Sequence, residues 1–199
     1  QDDVLTLAIE QSCPATPGQE QKAPFHMPVL LGLLDAAGAE IAISDGQVSS
    51  DAQTQLRDKG RTVLLELRDK VTQLVISGLN GKPVVSCLRQ FSAPVKVDYQ
   101  RPGSELGFLA RYDQDGFVRW DALQTMWVSQ FDQRSGVASS EPQDALASIA
   151  QQALTLNVAD EKLLAASMLT VPSELYLFEQ LRGFDVDGLL DARDQALSL

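Results

Sequence analysis

Arg61-Thr62-Val63-Leu64-Leu65-Glu66-Leu67-Arg68, followed by Thr72-Gln73-Leu74-Val75-Ile76-Ser77-Gly78-Leu79, is the stretch on which the fold turns. Apolar and polar residues alternate here with a period near two, and valine, isoleucine and threonine are frequent, so both runs read as strands buried on at least one face. Working back toward the start, Val4–Gln11 and Phe25–Leu34 have the same character. The polar stretch Pro14–Pro24, carrying Pro17-Gly18, is a loop because proline cannot donate to a ladder. Asp35-Ala36-Ala37-Gly38 supplies turn chemistry leading into a further strand over Glu40–Ser44, and Asp45–Lys59 reads as a polar loop or insertion. Working forward, Asn80-Gly81 is a strong hairpin signal, since both residues tolerate positive φ, and Val84–Gln90 and Val95–Tyr99 complete a set of short strands. Many short strands without intervening helices predict an immunoglobulin-like β-sandwich over residues 1–100. The antibody pattern of cysteine, tryptophan, cysteine is absent, because both tryptophans lie beyond residue 100.

From Gly103 the spacing of apolar residues lengthens to three and four, the period of amphipathic helices. Leu106 and Leu109 mark a first short helix, and Trp120, Leu123, Trp127 and Phe131 line one face of a second. After a connection over Arg134–Ser140, a third carries Leu146, Ile149, Ala150 and Ala153, and a fourth carries Leu163, Leu164 and Met168. Pro172 interrupts the chain before a fifth, marked by Leu175, Phe178 and Leu181, and a sixth runs from about Val186. The expected organisation is therefore a β-sandwich over 1–100 and an all-α array over 101–199, the latter being the start of a larger helical domain.

Composition removes several functions. Among 199 residues there are 27 acidic and 16 basic side chains, a net charge of −11, which repels phosphodiester backbones and anionic lipid head groups. The acidity is concentrated in residues 101–199, with 15 acidic and 7 basic side chains against 12 and 9 in residues 1–100. Val29–Leu34 and the other apolar runs fall far short of the roughly 20 residues needed to span a bilayer. The chain opens at Gln1 and lacks a secretory leader pattern, so it reads as a piece of something longer. Two cysteines are too few for a disulfide scaffold and favour a reducing, cytoplasmic setting, with Cys13 and Cys87 as buried thiols, although pairing stays open.

One histidine, His26, is the decisive count, since a zinc helix of the H-E-x-x-H type requires two imidazoles. As a general base His26 would need a positioned nucleophile, and no G-x-S-x-G occurs; a half-buried histidine at a strand edge, bonded through one nitrogen, is the plainer reading. Asp113-Gln114-Asp115-Gly116 and Asp185-Val186-Asp187-Gly188 resemble the opening of a calcium loop, but Phe117 and Gln124, or Leu189 and Ala196, stand where ligands are required. These aspartates read as helix N-caps. Arg119 beside Trp120 is a candidate for a cation–π contact, although tryptophans at helical spacing usually enter a core. Glycine-rich phosphate cradles are absent. No catalytic, metal or cofactor-binding residue is expected in this chain.

Several motifs nevertheless carry a resemblance. Cys13-Pro14-Ala15-Thr16-Pro17-Gly18, Pro24-Phe25-His26-Met27-Pro28, Phe91-Ser92-Ala93-Pro94-Val95-Lys96-Val97-Asp98-Tyr99, Leu106-x-Phe108-Leu109, Asp115-x-Phe117-x-Arg119-Trp120-Asp121-Ala122 and Leu169-Thr170-Val171-Pro172-Ser173-Glu174 resemble, in order, segments of bacterial aminopeptidase N. That family comprises zinc-dependent enzymes that remove N-terminal residues from peptides. The resemblance implies a small β-sandwich that follows the catalytic domain and the beginning of a helical domain covering the active site. The family's zinc ligands, its catalytic glutamate and its G-x-M-x-N motif have no counterpart here, and Arg89-Gln90-Phe91 departs from the usual wording before Phe91-Ser92-Ala93-Pro94. The resemblance then implies a cytoplasmic parent holding zinc outside this piece. It also implies that the catalytic domain and the remaining helical domain of the parent are partners, and that the piece alone leaves an apolar helical face open to self-association. The competing reading is an independent β-sandwich binding module with an attached helical bundle.

Overall fold

The computed structural model describes the chain except for residues 1–3, 133–143, 146, 150, 152–158, 182–184 and 198–199. It divides into two compact units, Gln1–Val97 and Asp98–Leu199. In the first, β1 (Val4–Glu10), β2 (Met27–Leu34), β3 (Val48–Ser50), β4 (Gln53–Arg57), β5 (Thr62–Leu67), β6 (Val71–Ser77) and β7 (Val84–Cys87) form two antiparallel sheets. One has the order β1-β6-β3 and the other β4-β5-β2-β7. The immunoglobulin-like sandwich followed by an all-α array is the fold expected from the alternating pattern.

The core follows from register. Leu31 lies opposite Val63 and Cys87, and Leu33 opposite Val85, so the side chains of alternate residues line one face of the four-stranded sheet. Leu33 and Leu65, on that sheet, and Leu74 and Ile76, on β6, are each no more than 1% exposed. At roughly 1.5–3 kcal/mol for each fully buried large aliphatic side chain, this apolar layer is the main source of stability of the unit. The two inner strands β2 and β5 are buried on their second face too, at Leu30, Leu34 and Leu64. They consequently read as nearly continuous apolar runs instead of a clean alternation.

The structure corrects four expectations. Asp45–Lys59 is no loop: it holds a 3-10 turn at Asp45–Gln47, then β3, β4 and a second 3-10 turn at Asp58–Gly60. Both strands are sheet edges with polar, largely exposed outer positions, so they lack the apolar signal that identifies inner strands. Glu40–Ser44 forms no strand: Glu40 bridges Leu34, and the N–H groups of Ile41 and Ile43 donate to the carbonyls of Leu33 and Gly60. The turn before it is as expected: Asp35 Oδ1 accepts from the N–H groups of Ala37 and Ala39, and Gly38 takes φ of 88°. Asn80-Gly81 does not close a hairpin, because β6 and β7 belong to different sheets and the segment carries the chain between them. Val95–Tyr99 joins no ladder, leaving Val95, Val97 and Tyr99 exposed.

In the second unit α1 (Gly103–Tyr112), α2 (Gly116–Phe131), α3 (Ala159–Met168), α4 (Glu174–Gln180) and α5 (Val186–Leu197) are joined by further helical residues at Asp144, Ala145, 147–149 and Gln151. The connection expected over Arg134–Ser140 lies outside the described residues, as do Leu146, Ala150 and Ala153 of the expected third helix. α2 packs against α1, α3 and α5 and buries Leu123, Met126, Trp127 and Phe131. Trp127 stacks on Phe131 at 5.6 Å between ring centroids. Of the stripe expected on α4, Leu181 is buried, but Leu175 is 69% exposed and Phe178 37%, and Leu177 is the residue that is fully buried. Leu163 on α3 is likewise 69% exposed, so the apolar residues of these helices are not all spent on the core.

Candidate functional site

His26 lies just before β2 with its side chain 53% exposed, outside a strand and more open than expected. Its Nε2 is 3.1 Å from Glu66 Oε2, and Arg68 Nη2 donates to the same oxygen at 2.8 Å. Register explains the meeting, since Met27 and Pro28 pair with Leu67 and Glu66 on β5. The bond from Arg68 and then the bond from His26 hold the Glu66 carboxyl below its usual range. An adjoining open cleft of about 230 Å³ is lined by Gln53, Thr54, Gln55, Leu64 and Glu66. The histidine and carboxylate form a polar pair, but no hydrogen bond joins His26 to a serine, threonine or cysteine among the described residues. The arrangement lacks the nucleophile that base catalysis of this type requires.

The most ordered polar group of the first unit was not legible as a site. Arg89 follows β7, and its guanidinium folds back across the sheet over Gly32. Its Nε donates to Ser86 Oγ at 2.8 Å and its Nη1 to Glu40 Oε1 at 2.7 Å, with the Arg61 carbonyl and Thr62 Oγ1 each at 3.3 Å. Gly32 is obligatory here, because a Cβ would stand 2.0 Å from Arg89 Cζ. The chain reaches this geometry through left-handed backbone at Leu88 and Gln90, both at φ 57°. Each such residue costs about 1–2 kcal/mol, which the anchoring of Arg89 and the Leu30 N–H bond to Ser92 Oγ offset. A guanidinium committed in this way fixes the sheet edge and is not offered to a ligand.

Cys13 is exposed, contrary to the expectation of a buried thiol, and lies 3.5 Å from Lys22 Nζ; Cys87 is partly buried on β7, and neither is in a disulfide. Cys13 sits in the proline-rich loop after β1, where no apolar layer covers it. Of the aspartates expected as helix N-caps, Asp115 and Asp185 stand at helix starts, whereas Asp113 closes the C-terminus of α1 and Asp187 lies inside the first turn of α5. Asp115 Oδ1 accepts from the Val118 N–H at the start of α2, Asp113 Oδ1 from the Asp115 N–H, and Asp185 Oδ2 from the Gly188 N–H at the start of α5. Arg119 does not sit over Trp120; its Nε donates to the Ala110 carbonyl, and burial lowers its pKa against the opposing charge of Asp113. The cation–π contact of the second unit lies elsewhere, with the Arg101 guanidinium 4.1 Å from the centroid of Tyr99.

Among the described residues no group of three or more His, Cys, Asp or Glu side chains is placed to hold a metal ion. With one imidazole in the whole chain, the residues present do not fit a zinc centre.

Comparison with known proteins then decides the family. The domain described as "Domain of unknown function (DUF3458) Ig-like fold" matches residues 1–100, and "DUF3458_C", described as ARM repeats, matches residues 103–198. The chain belongs to the DUF3458 family. This DUF3458 chain is similar to aminopeptidase N of Haemophilus influenzae, with 30% identity over 194 residues, covering 94% of the chain and 21% of the relative. It is similar also to aminopeptidase N of Escherichia coli, at 29% identity, 95% of the chain and 21% of the relative. The crystal structure of Legionella pneumophila aminopeptidase A in complex with aspartic acid shares the fold, with a TM-score of 0.68, 22% identity, and coverage of 96% of this chain and 19% of that one. The DUF3458 chain thus spans about a fifth of the length of the curated relatives it matches. No described helix is long and apolar enough to cross a membrane.

Proposed function

We propose that the chain is a non-catalytic part of a zinc-dependent, cytoplasmic aminopeptidase of the N type, which removes N-terminal residues from peptides. In this reading the β-sandwich spaces the catalytic domain from the helical domain, and residues 101–199 begin the helical cover that restricts access to the active site. The carrying observation is similarity to two aminopeptidases N along nearly the whole chain but only a fifth of theirs. The chain's own residues support a mechanical task. A close-packed sandwich and a helical array transmit position through buried apolar contacts, without any reactive side chain. The zinc would be held, and its water activated, by residues of the parent outside this piece, and the catalytic domain and remaining helices would be its partners. Cys13 and Cys87, which form no disulfide, accord with a reducing compartment.

An independent binding module would display aromatic residues outside its strands, and Phe25 at 51% and Phe91 at 53% exposure do so. In the parent these rings would meet neighbouring domains instead. Expression of the entire natural reading frame separates the two readings. Metal-dependent release of N-terminal residues from short peptides, with folded proteins spared, is expected. A full-length protein without that activity would leave the binding-module reading in its place.

A further inference from the structure

Asn80-Gly81 closes no hairpin, so the fold leaves the chemistry of this pair unspent. Asn80, Gly81 and Lys82 are exposed, between Leu79, which is 4% exposed, and the buried Pro83. Both flanks are held. Gln47 Nε2 donates to the Ser77 carbonyl at 2.9 Å and to the Gly78 carbonyl at 3.3 Å, and β7 begins at Val84. Among the described residues no hydrogen bond engages the Asn80 carboxamide or the Gly81 N–H. Gly81 takes φ of 92°, and a Cβ there would meet no atom within 4 Å.

This combination matters because a side-chain amide carbon stands one residue before a main-chain nitrogen that carries no neighbouring side chain to shield it. Elsewhere in the sheets a ladder bond ties up each such N–H, and a bonded carboxamide is not free to turn. Neither restraint acts on Asn80-Gly81.

We propose that Asn80 is a site of spontaneous covalent modification, converted to aspartate and isoaspartate through a cyclic imide. The Gly81 nitrogen attacks Cγ of Asn80: the N–Cγ bond forms, the Cγ–Nδ2 bond breaks, and ammonia leaves with the proton given up by the Gly81 N–H. Water, the sole co-reactant, then opens the imide at one of its two carbonyls. Opening at the side-chain carbonyl restores the ordinary main chain with an aspartate, whereas opening at the main-chain carbonyl leaves the chain running through Cγ. The second product adds a methylene to the main chain between Leu79 and Pro83, whose burial fixes both ends. Because β7 pairs only with β2, at the sheet edge, the added length is taken up at the β7 ladder. The inference does not depend on whether the parent cleaves peptides.

The test incubates the folded 199-residue chain at mildly alkaline pH in heavy-oxygen water and maps its peptides by mass spectrometry, beside the same chain unfolded in guanidinium chloride. Asn157, which precedes Val158, is the internal reference, since a β-branched neighbour hinders the same attack. Asn80 is expected to take up heavy oxygen at least about tenfold faster than Asn157, and within about threefold of its rate in the unfolded chain. Asn80→Gln, which would have to close a larger ring, should remain unconverted at position 80 over the same period. Amide exchange of Val84–Cys87 should run about threefold faster in the isoaspartyl chain and be unchanged in Asn80→Asp, which adds the charge without the length. Conversion no faster than at Asn157, or slowed about tenfold or more by folding, would overturn the proposal. An equal change of β7 exchange in Asn80→Asp would overturn the effect assigned to the lengthened main chain.

Discussion

Substituting Gly32 by alanine is the sharpest perturbation the first unit offers. The added Cβ would lie 2.0 Å from Arg89 Cζ, 2.3 Å from Nε and 2.4 Å from Nη2, distances no packing can accommodate. Because the obstructed atoms belong to a guanidinium whose side chain is 5% exposed, the methyl must expel the arginine from its niche. Expulsion breaks the bonds to Ser86 and Thr62 and leaves the 18%-exposed Glu40 side chain without its closest cation. Breaking one side of a buried pair costs about 3–5 kcal/mol. Partial rehydration of Glu40 places the expectation near the lower end, about 3 kcal/mol. All tyrosines and tryptophans lie beyond residue 98, so emission is blind to the first unit, and amide hydrogen exchange of β2 and β5 is the suitable assay. A loss of about 3 kcal/mol accelerates exchange through global opening about 150-fold. Arg89→Met, which keeps much of the volume but none of the bonds, should produce a similar acceleration, and adding Glu40→Gln to it should recover part of the loss. If Gly32→Ala exchanges within about threefold of the parent chain, the niche is not the rigid feature described here.

Further outcomes concern the caps, the exposed pair and the thiols. Asp115→Ala removes the acceptor for the Val118 N–H and should destabilise α2 by about 1 kcal/mol, read as a lower midpoint for tryptophan emission in urea. Glu66 has a folded-state pKa below 4.5, so its contribution is present above pH 4.5 and is lost as the pH falls through the lower folded value. Glu66→Gln should flatten the acid limb of thermal stability against pH in that window, an effect kept small by solvent around the pair. Cys13 should react with a thiol reagent in the native chain much faster than Cys87, and equal rates would contradict the placement of Cys87 on β7. The exposed Leu163 and Leu175 predict concentration-dependent light scattering of the chain, reduced in a Leu163→Glu, Leu175→Glu double variant.

Inner strands and capped helices were readable from the residues alone because burial on a fixed period leaves its mark on every second, third or fourth position. β2, β5 and β6 announce themselves through leucine, valine and isoleucine, and Asp115 and Asp185 through their place before helical runs. Gln53-Thr54-Gln55-Leu56-Arg57 does not, since an edge strand is held by backbone bonds to one neighbour, with Gln53, Gln55 and Arg57 in water and Thr54 and Leu56 only half-buried. Val95–Tyr99 fails in the opposite sense: its alternation is strand-like, but a strand needs a partner as well as a pattern. Asn80-Gly81 shows that turn chemistry fixes a local bend and not the sheet the chain enters next. The Arg89 niche was illegible because it assembles residues distant in sequence, Gly32 and Glu40 with Ser86 and Arg89.

The claim that this polypeptide contributes architecture and not chemistry to an aminopeptidase is tested most directly on the purified 199-residue chain. After loading with zinc and dialysis, its metal content and its hydrolysis of an aminoacyl arylamide would be measured together. The expected result is no stoichiometric zinc and no release of arylamine above buffer. Retained zinc accompanied by turnover would contradict the account.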